Sequence, residues 1–144
     1  MRTRFGDNGL LSDDQRRVVS LSEAGKNYRL NNPQPLRLLV YKVDAGMIAN
    51  QQERCDFAIG IPLDGRVYFV ELKGKDLQKA ASQILQTLVT LNSKINGYIL
   101  FARIVLSRVP RPDLRATTVI ALERVVARSG GNLRRASRLL EEDV

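Results

Sequence analysis

The chain has 144 residues, 23 Lys and Arg against 15 Asp and Glu, a net charge of +8 and no histidine. A lone cysteine, Cys55, and the lack of histidine exclude a zinc cluster, a disulfide framework and any Ser-His or Cys-His nucleophile pair. No apolar run approaches the roughly 18 residues of a membrane span, Met1 to Asp7 lacks the apolar core of a signal peptide, and no phosphate-loop glycine pattern occurs.

A cytoplasmic protein of one α/β domain is therefore expected, with a polyanionic partner favoured by its charge. Residues 1–32 are polar and punctuated, and Ser12-Asp13-Asp14-Gln15 predicts the cap of a short helix running to Leu21. Asn32-Pro33-Gln34-Pro35 breaks the chain. Leu36 to Val43 then predicts the first strand of a core spanning residues 36–106, with Ala45-Gly46 turning toward Met47-Ile48.

Two runs rich in β-branched and aromatic residues come next, Cys55 to Ile61 and Arg66 to Lys73. The Asp64-Gly65 dipeptide between them is a hairpin signal. If these are the two central turn residues, Leu63 faces Arg66, Asp56 lies opposite Lys73, and Glu71 is the diagonal neighbour at about 7–8 Å. A four-residue loop, suggested by Pro62, would instead put Asp56 opposite Glu71. With either even loop the period of two sets Asp56, Glu71 and Lys73 on one face, which only an odd loop or a bulge would break, and Cys55 on the other as a small buried core residue.

Two carboxylates converging with a lysine suit metal-assisted phosphodiester chemistry. Mg²⁺ takes hard oxygen ligands, commonly one or two carboxylates, and keeps waters and phosphate oxygens. Asp56 and Glu71 supply such oxygens, and Lys73 can orient the attacking water or offset charge in the transition state. An acid-x-Lys triplet arises by chance roughly once in a chain with this fraction of charged residues, so a cross-strand salt bridge is the alternative.

Past Gly74-Lys75-Asp76, apolar residues from Leu77 to Ile95 recur at helical spacing, with Asp76 as N-cap and Gln83 at the border of the apolar stripe. Tyr98 to Leu106 predicts a strand buried on both faces. This order of elements, with Cys55-Asp56-Phe57, Phe69-Val70-Glu71-Leu72-Lys73-Gly74 and Ala80-Ala81-Ser82-Gln83, resembles the PD-(D/E)XK nuclease superfamily. The resemblance covers residues 36–106 and implies a central mixed β-sheet with flanking helices, the restriction-endonuclease-like core. It further implies Mg²⁺ or Mn²⁺ held by Asp56, Glu71 and the Leu72 carbonyl, water activation by Lys73, and a supporting role for Gln83. DNA rather than RNA follows by the same analogy, as does a homodimer, common among small relatives. Cys55 stands where the family carries proline, and Glu23 and Asp44 are the candidates for a second metal.

Residues 107–144 predict a covering helix past Pro110-Arg111-Pro112, ending near Ser129-Gly130-Gly131, then an edge strand or short helix over Leu133 to Ser137. Arginines at 103, 108, 111, 115, 124, 128, 134, 135 and 138 suit a phosphate-facing rim. The same stretch resembles the first two helices of a Fis-type helix-turn-helix, and so supports the rival expectation of a non-catalytic basic nucleic-acid-binding protein.

Overall fold

The computed structural model describes residues 1–48, 53–72, 74–108 and 116–144. Its central sheet has six strands: β1 (Leu10–Asp14), β4 (Leu38–Lys42), β5 (Phe57–Ile61), β6 (Arg66–Glu71), β7 (Ile99–Leu106) and β8 (Leu133–Ser137), side by side in that order. β1, β4, β5 and β6 pair antiparallel, whereas β6, β7 and β8 run parallel, so the sheet is mixed. A second sheet of three strands, β2 (Val18–Glu23), β3 (Lys26–Asn31) and β9 (Leu139–Asp143), lies in the order β2-β3-β9.

Each face of the central sheet has its own core. Leu39, Tyr41, Ala58, Val67, Phe69, Ala102 and Ile104 pack beneath the helices α2 (Leu77–Thr90) and α4 (Thr117–Ser129). Val40, Ile59, Tyr68, Val70 and Val105 pack against Val19, Leu21, Tyr28, Leu30 and Leu140 of the second sheet. Burial on both faces explains why β5 and β6 show no polar alternation. The long helices thus flank one face only, and the second sheet covers the other. The expected apolar run to Ile95 divides into α2 and the short α3 (Asn92–Ile95).

The helix expected from Ser12 to Leu21 does not form. Val19 and Leu21 are buried while Ser20 and Ser22 are exposed, and that period of two belongs to a strand. Asp13 and Asp14 serve arginines instead of a helix terminus. Asp13 takes two 2.7 Å hydrogen bonds from Arg37 and one of 2.9 Å from Arg2, tying β1 to the chain before β4 and to the short N-terminal helix α1 (Arg2–Phe5).

The hydrogen bonds from Arg37 and then Arg2 outweigh desolvation and lower the Asp13 carboxyl from 3.8 to about 2. Because the folded value is the depressed one, the contribution of Asp13 to stability is complete above pH 3.8 and is lost as pH falls through about 2. Acid unfolding followed by circular dichroism should therefore show the wild type losing its advantage over Asp13→Asn within that window. A constant gap between the two proteins would contradict the assignment.

At the other end, Gly130 closes α4 in the left-handed region with φ of 100°, where glycine carries no Cβ penalty. Gly131 then passes so close to β7 that a Cβ would sit 1.7 Å from the Leu100 carbonyl oxygen. The two glycines thus stop a helix and admit a close backbone approach. Residues 133–137 and 139–143 are strands, so the second helix of a helix-turn-helix is absent there.

Candidate active site

The β5–β6 hairpin runs in register from Ile61 opposite Arg66 to Phe57 opposite Val70, leaving residues 62–65 as the loop. The two-residue turn is therefore incorrect and the four-residue alternative holds; one further step of that register would set Asp56 opposite Glu71 instead of Lys73, but the paired residues end at Phe57 and Val70. Pro62 has no N–H to extend the ladder, and Gly65, at φ of 73°, closes the loop with its N–H on the Ile61 carbonyl at 3.0 Å.

Regular pairing stops at Phe57, and the chain bends at Asp56. The Asp56 N–H donates to the Val70 carbonyl at 3.2 Å, one residue out of step, and its carbonyl accepts the Val43 N–H at 2.9 Å. Its carboxylate Oδ2 accepts the Leu72 N–H at 2.8 Å, a side chain continuing the ladder where the backbone has left it. Asp56 is 2% exposed and Glu71 0%. Glu71 ends β6, pairs with Ile104 of β7, and by alternation with Val67 and Phe69 points toward the helix layer.

Cys55 reports on both carboxylates. Its thiol is fully buried and its pKa is pushed far up by desolvation, then by the negative charge of Glu71 and, more weakly, of Asp56. Such a thiol is inert, in keeping with a small core residue. The bend places Cys55 in the helix-side core, not across the sheet from that layer as strict alternation predicts. There its N–H donates to Thr87 Oγ1 of α2 at 2.8 Å. The sequence reading did not single out Thr87, although it stands one turn after Gln83 and therefore on the same helix face.

Asp76 caps α2 as expected, accepting from the N–H groups of Gln78 at 2.8 Å and Lys79 at 3.4 Å. Gln83 is partly buried and, with Gly74, Lys75, Asp76 and Lys79, lines a hollow of about 250 Å³ just beyond the end of β6. Lys75 and Lys79 add positive charge that the sequence reading left unused. Lys73 lies outside the described residues. The Leu72 side chain is buried on the second-sheet side.

Of the second-metal candidates, Asp44 is held by Arg54 at 2.7 Å. Glu23 ends β2 on the far face of the central sheet, opposite Lys26. Neither is brought to the pair formed by Asp56 and Glu71. Among the described residues no three His, Cys, Asp or Glu side chains cluster as a metal site. The oxygens on hand are the buried carboxylates of Asp56 and Glu71, both close enough to Cys55 for their charge to raise its pKa, and hard carboxylate oxygens are of the type Mg²⁺ takes. A hollow of about 890 Å³ between α2, α3 and α4, lined mainly by apolar residues, includes neither carboxylate.

The arginine rim is smaller than its residue count suggests. Arg108, Arg124, Arg128, Arg134 and Arg138 are exposed and Arg135 is partly so, while Arg111 and Arg115 lie outside the described residues. Arg103 is 2% exposed and pairs with Glu142, so it is a core residue. Among the described residues no helix is long and apolar enough to cross a membrane. No protein-family model, curated protein or solved structure matches the chain.

Proposed function

We propose that the chain is a metal-dependent nuclease of the PD-(D/E)XK type that hydrolyses phosphodiester bonds of nucleic acid, DNA in the first instance. The observation that carries this is a pair of buried carboxylates at the carboxyl end of β6, Glu71 ending the strand and Asp56 hydrogen-bonded to the N–H of the next residue, Leu72, with the charge of both felt at the Cys55 thiol. Supporting it are the order β4, β5, β6, α2, β7, with β6 and β7 parallel, and Gln83 on the helix that follows the site.

Asp56, Glu71 and the Leu72 carbonyl would hold Mg²⁺ or Mn²⁺, which polarises the phosphate and acidifies a bound water. The N–H of Leu72 fixes the Asp56 carboxylate, so this ligand is oriented before substrate arrives. Lys73 orients the attacking water and offsets developing charge. Gln83 and the lysines of the adjoining hollow receive the polar face of the substrate. The net charge of +8 and the exposed arginines draw the polyanion in. A cytoplasmic location and a homodimer belong to the same proposal.

The test is cleavage of single-stranded, duplex and branched DNA and RNA with Mg²⁺, Mn²⁺, Ca²⁺ or EDTA. Cleavage is expected with Mg²⁺ and Mn²⁺ alone, because Ca²⁺ is larger and looser in geometry and supports binding more than reaction. Cleavage undiminished in EDTA would sink the mechanism. Binding without cleavage under every metal would favour a non-catalytic nucleic-acid-binding protein.

A further inference from the structure

The parallel strands β6, β7 and β8 end on one edge of the central sheet, and open α/β sheets bind ligands outside such carboxyl ends. Asp56 and Glu71 occupy the end of β6. Next along this edge, a hollow of about 320 Å³ is lined by Ala24, Gly25, Lys26, Ser107 and Arg138. Ser107 follows β7, Arg138 follows β8, and Ala24-Gly25 is the turn joining β2 to β3. Arg138 ties the two sheets together, its N–H donating to the Leu106 carbonyl and its own carbonyl accepting from Asn27, both at 2.8 Å.

Two features of this hollow have no use among the described residues. Lys26 is 6% exposed, yet the one hydrogen bond its ammonium makes among the described residues is a long 3.5 Å contact with the Ala24 carbonyl. A buried cation so poorly satisfied is costly. The Ser107 hydroxyl is buried and has no hydrogen-bond partner among the described residues. The left-handed backbone here is structural: Ala24 at φ of 49° and Gly25 at φ of 78° are the central pair of the β2–β3 hairpin turn, and Arg138 at φ of 66° joins the two sheets.

We infer that Lys26, Ser107 and Arg138 form a subsite for a phosphate group of the nucleic-acid backbone. Lys26, Ser107 and Arg138 line one hollow and between them supply an ammonium, a hydroxyl and a guanidinium, the donors a phosphate oxyanion needs, and the oxyanion would satisfy the two buried groups together. Neighbouring strands are about 4.8 Å apart, so one or two strand spacings separate the subsite from Glu71 along the edge, with Lys26 on the second-sheet side and Glu71 toward the helix layer. A single strand crossing that edge from one side to the other meets both. The assignment rests on the proposed nuclease function and names where a flanking phosphate is held.

The experiment is calorimetric titration of the full chain, in EDTA, with inorganic phosphate and with a short DNA duplex. The variants are Arg138→Gly, Lys26→Met and Ser107→Ala. Glycine accepts the left-handed backbone without strain, so Arg138→Gly removes the guanidinium and should retain or raise thermal stability. Arg138→Gly and Lys26→Met are each expected to weaken both ligands about tenfold or more, the worth of one charge-assisted hydrogen bond, and Ser107→Ala less. Asp56→Asn should bind inorganic phosphate as the wild type does, so loss of this subsite and failure of the nuclease site are read separately. Unchanged phosphate affinity in Arg138→Gly overturns the inference, even if Lys26→Met fails to fold. Weakened phosphate binding with unchanged duplex binding overturns the backbone assignment and leaves a site for free phosphate.

Discussion

Asp56→Asn and Glu71→Gln, made separately, should nearly abolish metal-dependent cleavage and leave thermal stability unchanged or raised. Each keeps side-chain size and removes a ligand charge. Both carboxylates are almost wholly buried and act on the same Cys55 thiol, so neutralising one relieves repulsion between like charges, a strain common where a site is kept for function. Asparagine still offers an oxygen to the Leu72 N–H, whereas Asp56→Ala leaves that buried donor unsatisfied and should cost about 1–3 kcal/mol. Lys73→Ala should lower the rate on the order of 10²–10⁴ if the lysine acts on the attacking water. Thermal unfolding beside single-turnover cleavage separates the cases. A pair of carboxylates kept only for a buried salt bridge would show the reverse, a loss of about 3–5 kcal/mol in stability with any cleavage intact.

Arg103→Met should be the most destabilising single change outside the two sheets' apolar cores. The guanidinium donates to Glu142 through Nε at 2.5 Å and Nη2 at 3.2 Å, and through Nη1 to the Ala102 and Asn132 carbonyls at 3.0 Å. It also lies over the rings of Tyr68 and Phe101, 5.5 and 5.3 Å from their centroids. Tyr28 donates its hydroxyl to Glu142 at 2.7 Å, and burial, with Glu142 beside it, raises the phenol pKa far enough to keep it a donor. Removing the arginine leaves Glu142, whose side chain is 7% exposed, with only the Tyr28 hydroxyl and a 3.4 Å contact from the exposed Arg134, at a cost of up to about 3–5 kcal/mol. Replacing both residues, as Arg103→Met with Glu142→Leu, should recover most of that loss, because no buried charge is then left alone. Urea denaturation of the two variants measures it. A double variant as unstable as Arg103→Met alone would place the cost in lost packing over Tyr68 and Phe101 instead.

Period and punctuation made the middle of the chain legible. The strands on either side of Pro62 to Gly65, the Asp76 cap, α2 and β7 all follow from spacing that one residue's neighbours reveal. The hairpin register did not, because Asp64-Gly65 serves a two-residue and a four-residue loop equally well and the sheet makes the choice. The first 32 residues were misread because Ser12-Asp13-Asp14 has the chemistry of a helix cap. Only the distant partners Arg2 and Arg37 show where Asp13 is used. Arg103 looked like surface charge for the same reason, its partner Glu142 being 39 residues away.

By itself, then, the amino-acid order determines which segments pair in the middle of the chain, where α2 starts and α4 stops, and that two acids and a lysine end one hairpin beside a helix carrying Gln83. Those properties depend on residues a few positions apart. The tertiary structure alone decides the four-residue loop and the bend at Asp56, that the second face is covered by a sheet, and that Lys26, Ser107 and Arg138 line one hollow at the edge carrying Glu71. Each of those depends on strands from distant parts of the chain lying side by side. β9 pairs with β3 across most of the length of the chain, and no local spacing encodes that contact.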